Sequence, residues 1–177
     1  MNNYIVLLRA VNVSGKNIIK MSALKNELIS DGFLNVQTYI QSGNVILSSE
    51  KKANEVSSQI KSLLLEKFSL NIEVFVLNET QIKDALEHNP FNSNLPGNRV
   101  FITFLSDNVL QSNVDEFNKL KLSPEEYKIL NNIFYFYLPD GMAKSKLNNN
   151  FIENKLKTIA TGRNINTLNK LLNLKNN

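Results

Sequence analysis

The chain of 177 residues contains no cysteine, no tryptophan and only one histidine. The missing thiols exclude disulfides, thiolate catalysis and cysteine-bound zinc, and one imidazole leaves few other metal sites, so we expect no metal and no cofactor. No apolar run approaches the roughly 18 residues of a membrane-spanning helix, and the first residues lack the charged start of a secretory leader. These absences predict a cytoplasmic protein with no membrane partner.

The composition, 42% hydrophobic and 20% charged, is typical of a globular protein. The formal charge of +4 is unevenly distributed. Up to Gly97, nine basic side chains balance nine acidic ones, whereas the remainder carries eleven basic and seven acidic side chains. A basic C-terminal part favours anionic partners such as phosphate, a nucleotide or nucleic acid, although lysines also serve simply to keep a small protein in solution.

Hydrophobic spacing in the first half predicts the element order β-α-β-β-α-β. A buried strand covers Tyr4 to Leu8, and Ser22 is placed to cap the helix that follows. Alternating residues on either side of Ser42-Gly43 predict a hairpin, and a helical stripe and a strand at Ile72 to Leu77 complete the half. This order is typical of the ferredoxin-like fold, in which an antiparallel sheet carries both helices on one face.

The second half begins in the same order after a break near Pro90 to Gly97. It has a strand at Val100 to Leu105, a hairpin around Asn131-Asn132 and two C-terminal helices, the second carrying Ile165 and Leu168. We therefore expect an α+β protein of two ferredoxin-like halves, 1–89 and 90–177, packed as one unit. An internal duplication is an interpretation of the element order alone.

The best phosphate-binding motif is Ser14-Gly15-Lys16, between the first strand and the first helix. A Walker loop needs an earlier glycine and a hydroxyl residue after the lysine, and Ala10 and Asn17 occupy those two positions. The motif therefore predicts a looser anion contact by Lys16, or a solvated lysine.

The sequence contains no complete catalytic motif and only an ambiguous pattern for RNA binding. His88 lies at the end of a predicted helix, where an imidazole can serve the terminal carbonyls, and no carboxylate pair has the spacing of a known acid–base site. A third possibility is an enzyme that acts on a phosphorylated substrate, but no pair of residues can be assigned as its nucleophile and base. The alternating aromatics from Phe134 to Tyr137 suit either an RNA-recognition sheet or a strand buried on both faces.

Distinctive blocks occur in order along nearly the whole chain, at residues 7–17, 21–33, 38–45, 89–91, 138–141, 145–147 and 160–164. They closely resemble the bacterial family catalogued as domain of unknown function 1697, and the Tyr-Ile-Gln-Ser-Gly-Asn block at 39–44 is the most specific. The resemblance implies an α+β protein of two ferredoxin-like halves and no established function. The family commonly has glycine where this chain has Ala10, and often threonine where it has Gly162.

These blocks contain more polar residues than are needed to form turns and to end strands. Arg163-Asn164, predicted at a helix start, would place a cation where the helix dipole disfavours it unless an anion binds there. We hypothesise that nine such residues border a cleft between the halves and bind a small phosphate, nucleotide or carboxylate: Arg9, Asn12, Lys16, Gln41, Asn44, Lys144, Lys146, Arg163 and Asn164. Two alternatives remain open: nucleic-acid association through the basic C-terminal part, and a structural or protein-interaction role for the same groups.

Overall fold

The computed structural model describes residues 1–13 and 15–175. It contains two four-stranded antiparallel sheets, each of which carries two helices. The first sheet has the strand order β2-β3-β1-β4. Its elements are β1 (Asn2–Leu8), α1 (Met21–Ser30), β2 (Leu34–Tyr39), β3 (Asn44–Ser49), α2 (Ala53–Phe68) and β4 (Val74–Leu77). The order β-α-β-β-α-β and this arrangement of strands are those of a ferredoxin-like half.

The second sheet repeats the arrangement with the order β6-β7-β5-β8. A helix, α3 (Glu79–Glu87), connects the two halves. The remaining elements are β5 (Val100–Leu105), α4 (Gln111–Asn118), β6 (Glu126–Leu130), β7 (Ile133–Tyr137), α5 (Asn149–Leu156), β8 (Ala160–Asn164) and α6 (Ile165–Lys175). The predicted α+β fold of two similar halves with C-terminal helices is confirmed.

The chain divides into two compact units. The first comprises Met1–Lys83 together with the residues from Lys170 onward, and the second comprises Asp84–Asn169. The sequence-based domains, 1–89 and 90–177, stay a prediction. No helix in the described part of the chain is both long and apolar enough to cross a membrane.

Each core forms because alternate residues of the central strands face the helices. In the first unit Tyr4, Val6 and Leu8 of β1 belong to the same cluster as Leu24 of α1 and Ile60 of α2. The intervening residues of β1 are buried as well, which explains why this strand is a continuous apolar run instead of an alternating one.

The second core is built on aromatic residues. Phe134 and Phe136 of β7 pack in one cluster with Phe117 of α4 and Ile152 of α5. The ring centroids of Phe117 and Phe134 lie 5.2 Å apart in an edge-to-face arrangement, the geometry that aromatic pairs favour.

Helix α3 begins with a capping box, because the Asn78 Oδ1 accepts from the Gln81 amide and the Gln81 Oε1 accepts from the Asn78 amide, both at 2.9 Å. Two local predictions differ from the structure. The cap at Ser22 is wrong, since α1 begins at Met21 and Lys20 occupies the cap position. A strand that was not predicted, β8, precedes the last helix, and it includes Arg163 and Asn164, which the sequence analysis placed at the start of that helix.

Candidate anion-binding loop

The connection from β1 to α1, residues 9–20, is called the basic loop below. At its centre the Asn12 Nδ2 donates to the Ile19 carbonyl at 2.9 Å and to the Gln41 carbonyl at 2.7 Å. The Asn12 Oδ1 accepts from the Ile19 amide at 2.9 Å. Asn12 thereby holds the two ends of the basic loop together and ties them to the turn between β2 and β3.

The backbone of the basic loop is unusual. Positive φ values occur at Ala10 (53°), Asn12 (55°), Gly15 (73°) and Asn17 (49°). Glycine and asparagine tolerate this region, whereas alanine is disfavoured there by roughly 1–2 kcal/mol. The Asn17 Nδ2 donates to the Ala10 carbonyl at 2.9 Å, which fixes the strained residue. Such conformations persist where the surroundings over-determine them, and they cluster at ligand sites.

The basic loop carries the cations Arg9, Lys16 and Lys20 and no acidic residue. Lys16 and Lys20 are exposed, and Arg9 is half-buried. Ser14, which belonged to the predicted phosphate motif, lies outside the described residues. No acidic residue occurs anywhere in positions 1–26. The basic loop is therefore a local concentration of positive charge in a half whose overall charge is zero.

The start of helix α1 adds to the positive potential at the end of the basic loop. Lys20 occupies the cap position of α1, where no side chain caps the helix and no acid lies in the first turn, so the helix dipole adds positive potential there. Glu73 accepts a bond from the Arg9 amide with its backbone carbonyl at 3.0 Å. Its carboxylate pairs with Lys61.

The turn between β2 and β3 divides its polar residues between two roles. Gln41 is exposed beside the basic loop. Asn44 is fully buried, and its Nδ2 donates to the Tyr39 carbonyl at 3.2 Å and to the Ser42 Oγ at 2.9 Å. Asn12 and Asn44 thus hold backbone in place, whereas Lys16 and Gln41 present free ends to solvent.

Lys144 and Lys146 are exposed in the connection between β7 and α5. Between them, the Ser145 Oγ accepts from the Leu147 amide at 2.8 Å. Asn164 caps α6, since its Oδ1 accepts from the Thr167 amide at 2.9 Å. These positions lie in two separate segments of the second unit.

Arg163 lies in strand β8, opposite Ile102 of β5 and directly before Asn164, which caps α6. It is therefore a strand residue that also adjoins the helix start predicted from the sequence. The Arg163 Nη1 donates to the Thr161 Oγ1 at 3.1 Å and to the Gly162 carbonyl at 2.8 Å. Burial lowers the pKa of Arg163 to about 10, so the guanidinium stays charged at neutral pH.

Phe134, Tyr135 and Phe136 of β7 are buried, and Tyr137 is half-buried beside Phe91, with ring centroids 6.3 Å apart. Tyr135 is 1% exposed, and its hydroxyl donates to the Ala85 carbonyl at 3.0 Å, while burial raises the pKa of that hydroxyl. A base cannot stack on a ring that is buried, so this strand does not provide the platform of an RNA-recognition sheet. His88 makes the contact expected of it, with Nδ1 2.8 Å from the Asp84 carbonyl.

Comparison with known proteins places these features in a family. Residues 1–135 match the family described as "Protein of unknown function (DUF1697)". The chain belongs to the DUF1697 family. No curated protein matches it significantly. A solved structure of the conserved bacterial protein SP0830 from Streptococcus pneumoniae is similar over 98% of each chain, with a TM-score of 0.75 and 20% identity, a likeness that concerns the fold.

This DUF1697 chain departs from the family pattern at Ala10 and Gly162, and the structure shows what surrounds each position. Ala10 takes a φ of 53°, the conformation in which glycine would be unstrained. A Cβ at Gly162 would lie 2.4 Å from the Thr103 Oγ1 and 3.0 Å from the Asn149 Oδ1. Threonine at position 162 therefore requires those two side chains to move.

Of the nine predicted site residues, the five in the first half of this DUF1697 chain belong to the basic loop or to the neighbouring β2–β3 turn. The four in the second half lie in the two segments described above. The cleft between the halves stays a prediction. Lys20 was missed by the sequence analysis, although the acid-free run at 1–26 pointed to it.

Proposed function

We propose that this protein binds a small phosphate-bearing anion at the basic loop, with Lys16 and Lys20 as the principal contacts and Arg9 and Gln41 beside them. Two ammonium groups attract a phosphate as point charges. Backbone amides in a loop with alternating backbone conformations supply further donors to an anion. A cytoplasmic setting suits a chain without cysteine.

The observation that carries the proposal is the difference between two equivalent connections. The second unit joins β5 to α4 with residues 106–110, whereas the first unit joins β1 to α1 with residues 9–20. The shorter connection contains Asp107 and no cation. The ferredoxin-like topology therefore does not require the extra length, the three cations or the strained backbone of the basic loop.

Binding is tested by thermal unfolding and calorimetry with inorganic phosphate, a nucleoside triphosphate and acetate. A ligand at about 100 times its Kd should stabilise the protein by about 2.7 kcal/mol. We expect phosphate compounds, but not acetate, to raise the Tm. Lys16→Gln and Lys20→Gln should each weaken binding several-fold, since each removes one positive charge from the basic loop. Both side chains are exposed, so we expect little effect on folding.

Lys128→Gln, an exposed lysine of β6, is the matched control and should bind as the wild type does. A loss of affinity equal to that of Lys16→Gln would show a response to net charge and would refute a local site. No binding by the wild type would leave a structural role for the polar residues. Binding of a single-stranded oligonucleotide that depends steeply on salt, and that Lys144→Gln weakens, would favour nucleic-acid association through the second half instead.

A further inference from the structure

Three aliphatic side chains at the basic loop and the adjoining turn are exposed to solvent. Ile18 is 73% exposed, Val13 53% and Ile40 50%. Asn12 joins the segments that carry them, because its side chain donates to the carbonyls of Ile19 and Gln41, whose neighbours in the sequence are Ile18 and Ile40. We call Val13, Ile18 and Ile40 with Lys16 and Lys20 the tip.

Ile40 is the least expected member of the tip. It adopts a φ of 48°, a genuine outlier for a β-branched residue. The second unit places Asn131 and Asn132 at its positive-φ turn positions, with φ values of 46° and 65°, and asparagine suits that conformation. An isoleucine that is strained and half exposed contributes little to the core, so its apolar surface fits a contact outside the chain.

The charge of the tip restricts what that contact can be. Its cations lie in a segment without acidic residues, so the complementary surface is anionic. Aliphatic side chains offer little to a nucleic acid, which binds by stacking on aromatic rings. Exposed apolar side chains in a loop that also carries exposed lysines match the headgroup layer of an anionic bilayer, where the apolar groups enter the acyl boundary and the ammonium groups meet phosphates.

We propose that the tip docks reversibly on anionic phospholipid, with Ile18, Val13 and Ile40 inserted and Lys16 and Lys20 against lipid phosphates. This inference rests on the proposed function, because the lipid phosphate is then the anion of the basic loop. The inference departs from the sequence-based prediction of no membrane partner, which rested on the lack of a spanning helix; a surface contact requires no such helix. Three aliphatic side chains and a few cations give weak, reversible binding in place of a permanent anchor.

The test is co-sedimentation of the whole protein with vesicles of equal parts phosphatidylglycerol and phosphatidylcholine, and with phosphatidylcholine alone. We expect binding to the mixed vesicles only, reduced at high salt. Ile18→Ser should lower the partition coefficient between vesicles and water about tenfold. This is the loss expected when a large aliphatic side chain is no longer transferred from water into the bilayer. Leu110→Ser is the matched control, because Leu110 is 69% exposed and belongs to the second unit; it should bind as the wild type does.

The outcomes separate this inference from the proposed function. Binding of inorganic phosphate without binding to vesicles overturns the lipid contact and leaves the proposed function standing. Binding of neither refutes both. Equal vesicle binding by wild type and Ile18→Ser shows electrostatic adsorption and overturns insertion of the tip. Equal losses in Ile18→Ser and Leu110→Ser overturn the assignment to the tip, and stronger binding of a single-stranded oligonucleotide than of vesicles favours nucleic acid.

Discussion

The two halves share a topology and differ where their first strand leads into their first helix. In the first half this connection spans residues 9–20, includes four positive-φ residues and carries three cations. In the second half residues 106–110 suffice, and the turn beside them is the tight Asn131-Asn132 pair. The fold requires the topology that both halves share. It does not require the long, basic connection of the first half, which is therefore available for binding.

The same comparison holds at single positions. The Leu8 amide donates to the Gly43 carbonyl at 2.8 Å, and the Leu105 amide donates to the Asn132 carbonyl at 3.2 Å, so Gly43 and Asn132 are equivalent. By the same register, Val6 in the first sheet corresponds to Thr103 in the second. The predictions below alter these equivalent positions, beginning with the largest expected effect.

Replacing Gly43 with alanine should have the largest effect on stability. The new Cβ would lie 2.8 Å from the Leu8 Cβ and 3.2 Å from the Val11 Cβ, at a φ of +73°. We expect a loss of about 3 kcal/mol in urea unfolding. Asn132→Gly, the reciprocal change in the second half, should alter stability by less than about 1 kcal/mol. Equal effects would contradict the close approach at Gly43.

Removing the side chain of Asn12 should cost about 2 kcal/mol, because the carbonyls of Ile19 and Gln41 lose their donor and the Ile19 amide loses its acceptor. Asn108→Ala, the same change in the exposed connection of the second half, should be nearly neutral. Urea denaturation checks both variants. A neutral Asn12→Ala would show that the basic loop does not depend on this side chain.

Thr103→Val should stabilise the protein by about 1 kcal/mol. The Thr103 Oγ1 is buried and has no hydrogen-bond partner among the described residues, and valine has the same shape without the polar atom. The reverse change at the equivalent position, Val6→Thr, should be destabilising, because it buries a hydroxyl in an apolar cluster. If thermal unfolding shows that Thr103→Val is destabilising, the hydroxyl is bonded in solution.

Ala10→Gly should give the smallest gain, about 0.5–1 kcal/mol, because it relieves strain at a φ of 53° while increasing the freedom of the unfolded chain. Ala23→Gly within α1 is the control and should be destabilising by a similar amount. The two Tm shifts must have opposite signs. A lower Tm for Ala10→Gly would mean that this position is not strained.

The sequence predicted the elements whose signal is local. A continuous apolar run predicted β1, and helical spacing predicted α2. The strand β8 was missed because Thr161, Gly162 and Arg163 carry no apolar alternation. Its identity as a strand comes from pairing with β5, which is a tertiary interaction.

The site was predicted only in part for a similar reason. The motif residues at 9–17 and 41–44 do share one region, yet the sequence could not show that Asn12 and Asn44 serve the backbone while Lys16 stays exposed. Burial of Arg163 depends on packing and has no signature in its neighbours. The strain at Ala10 is visible only once the backbone is placed.

The most direct measurement of the central claim is a titration of the wild-type protein with inorganic phosphate, followed by amide chemical shifts in NMR. The account predicts saturable shifts confined to residues 9–20 and 40–44, with the equivalent residues 106–110 and 131–132 unchanged. Shifts in both connections alike, or none in the basic loop at saturating phosphate, would contradict it.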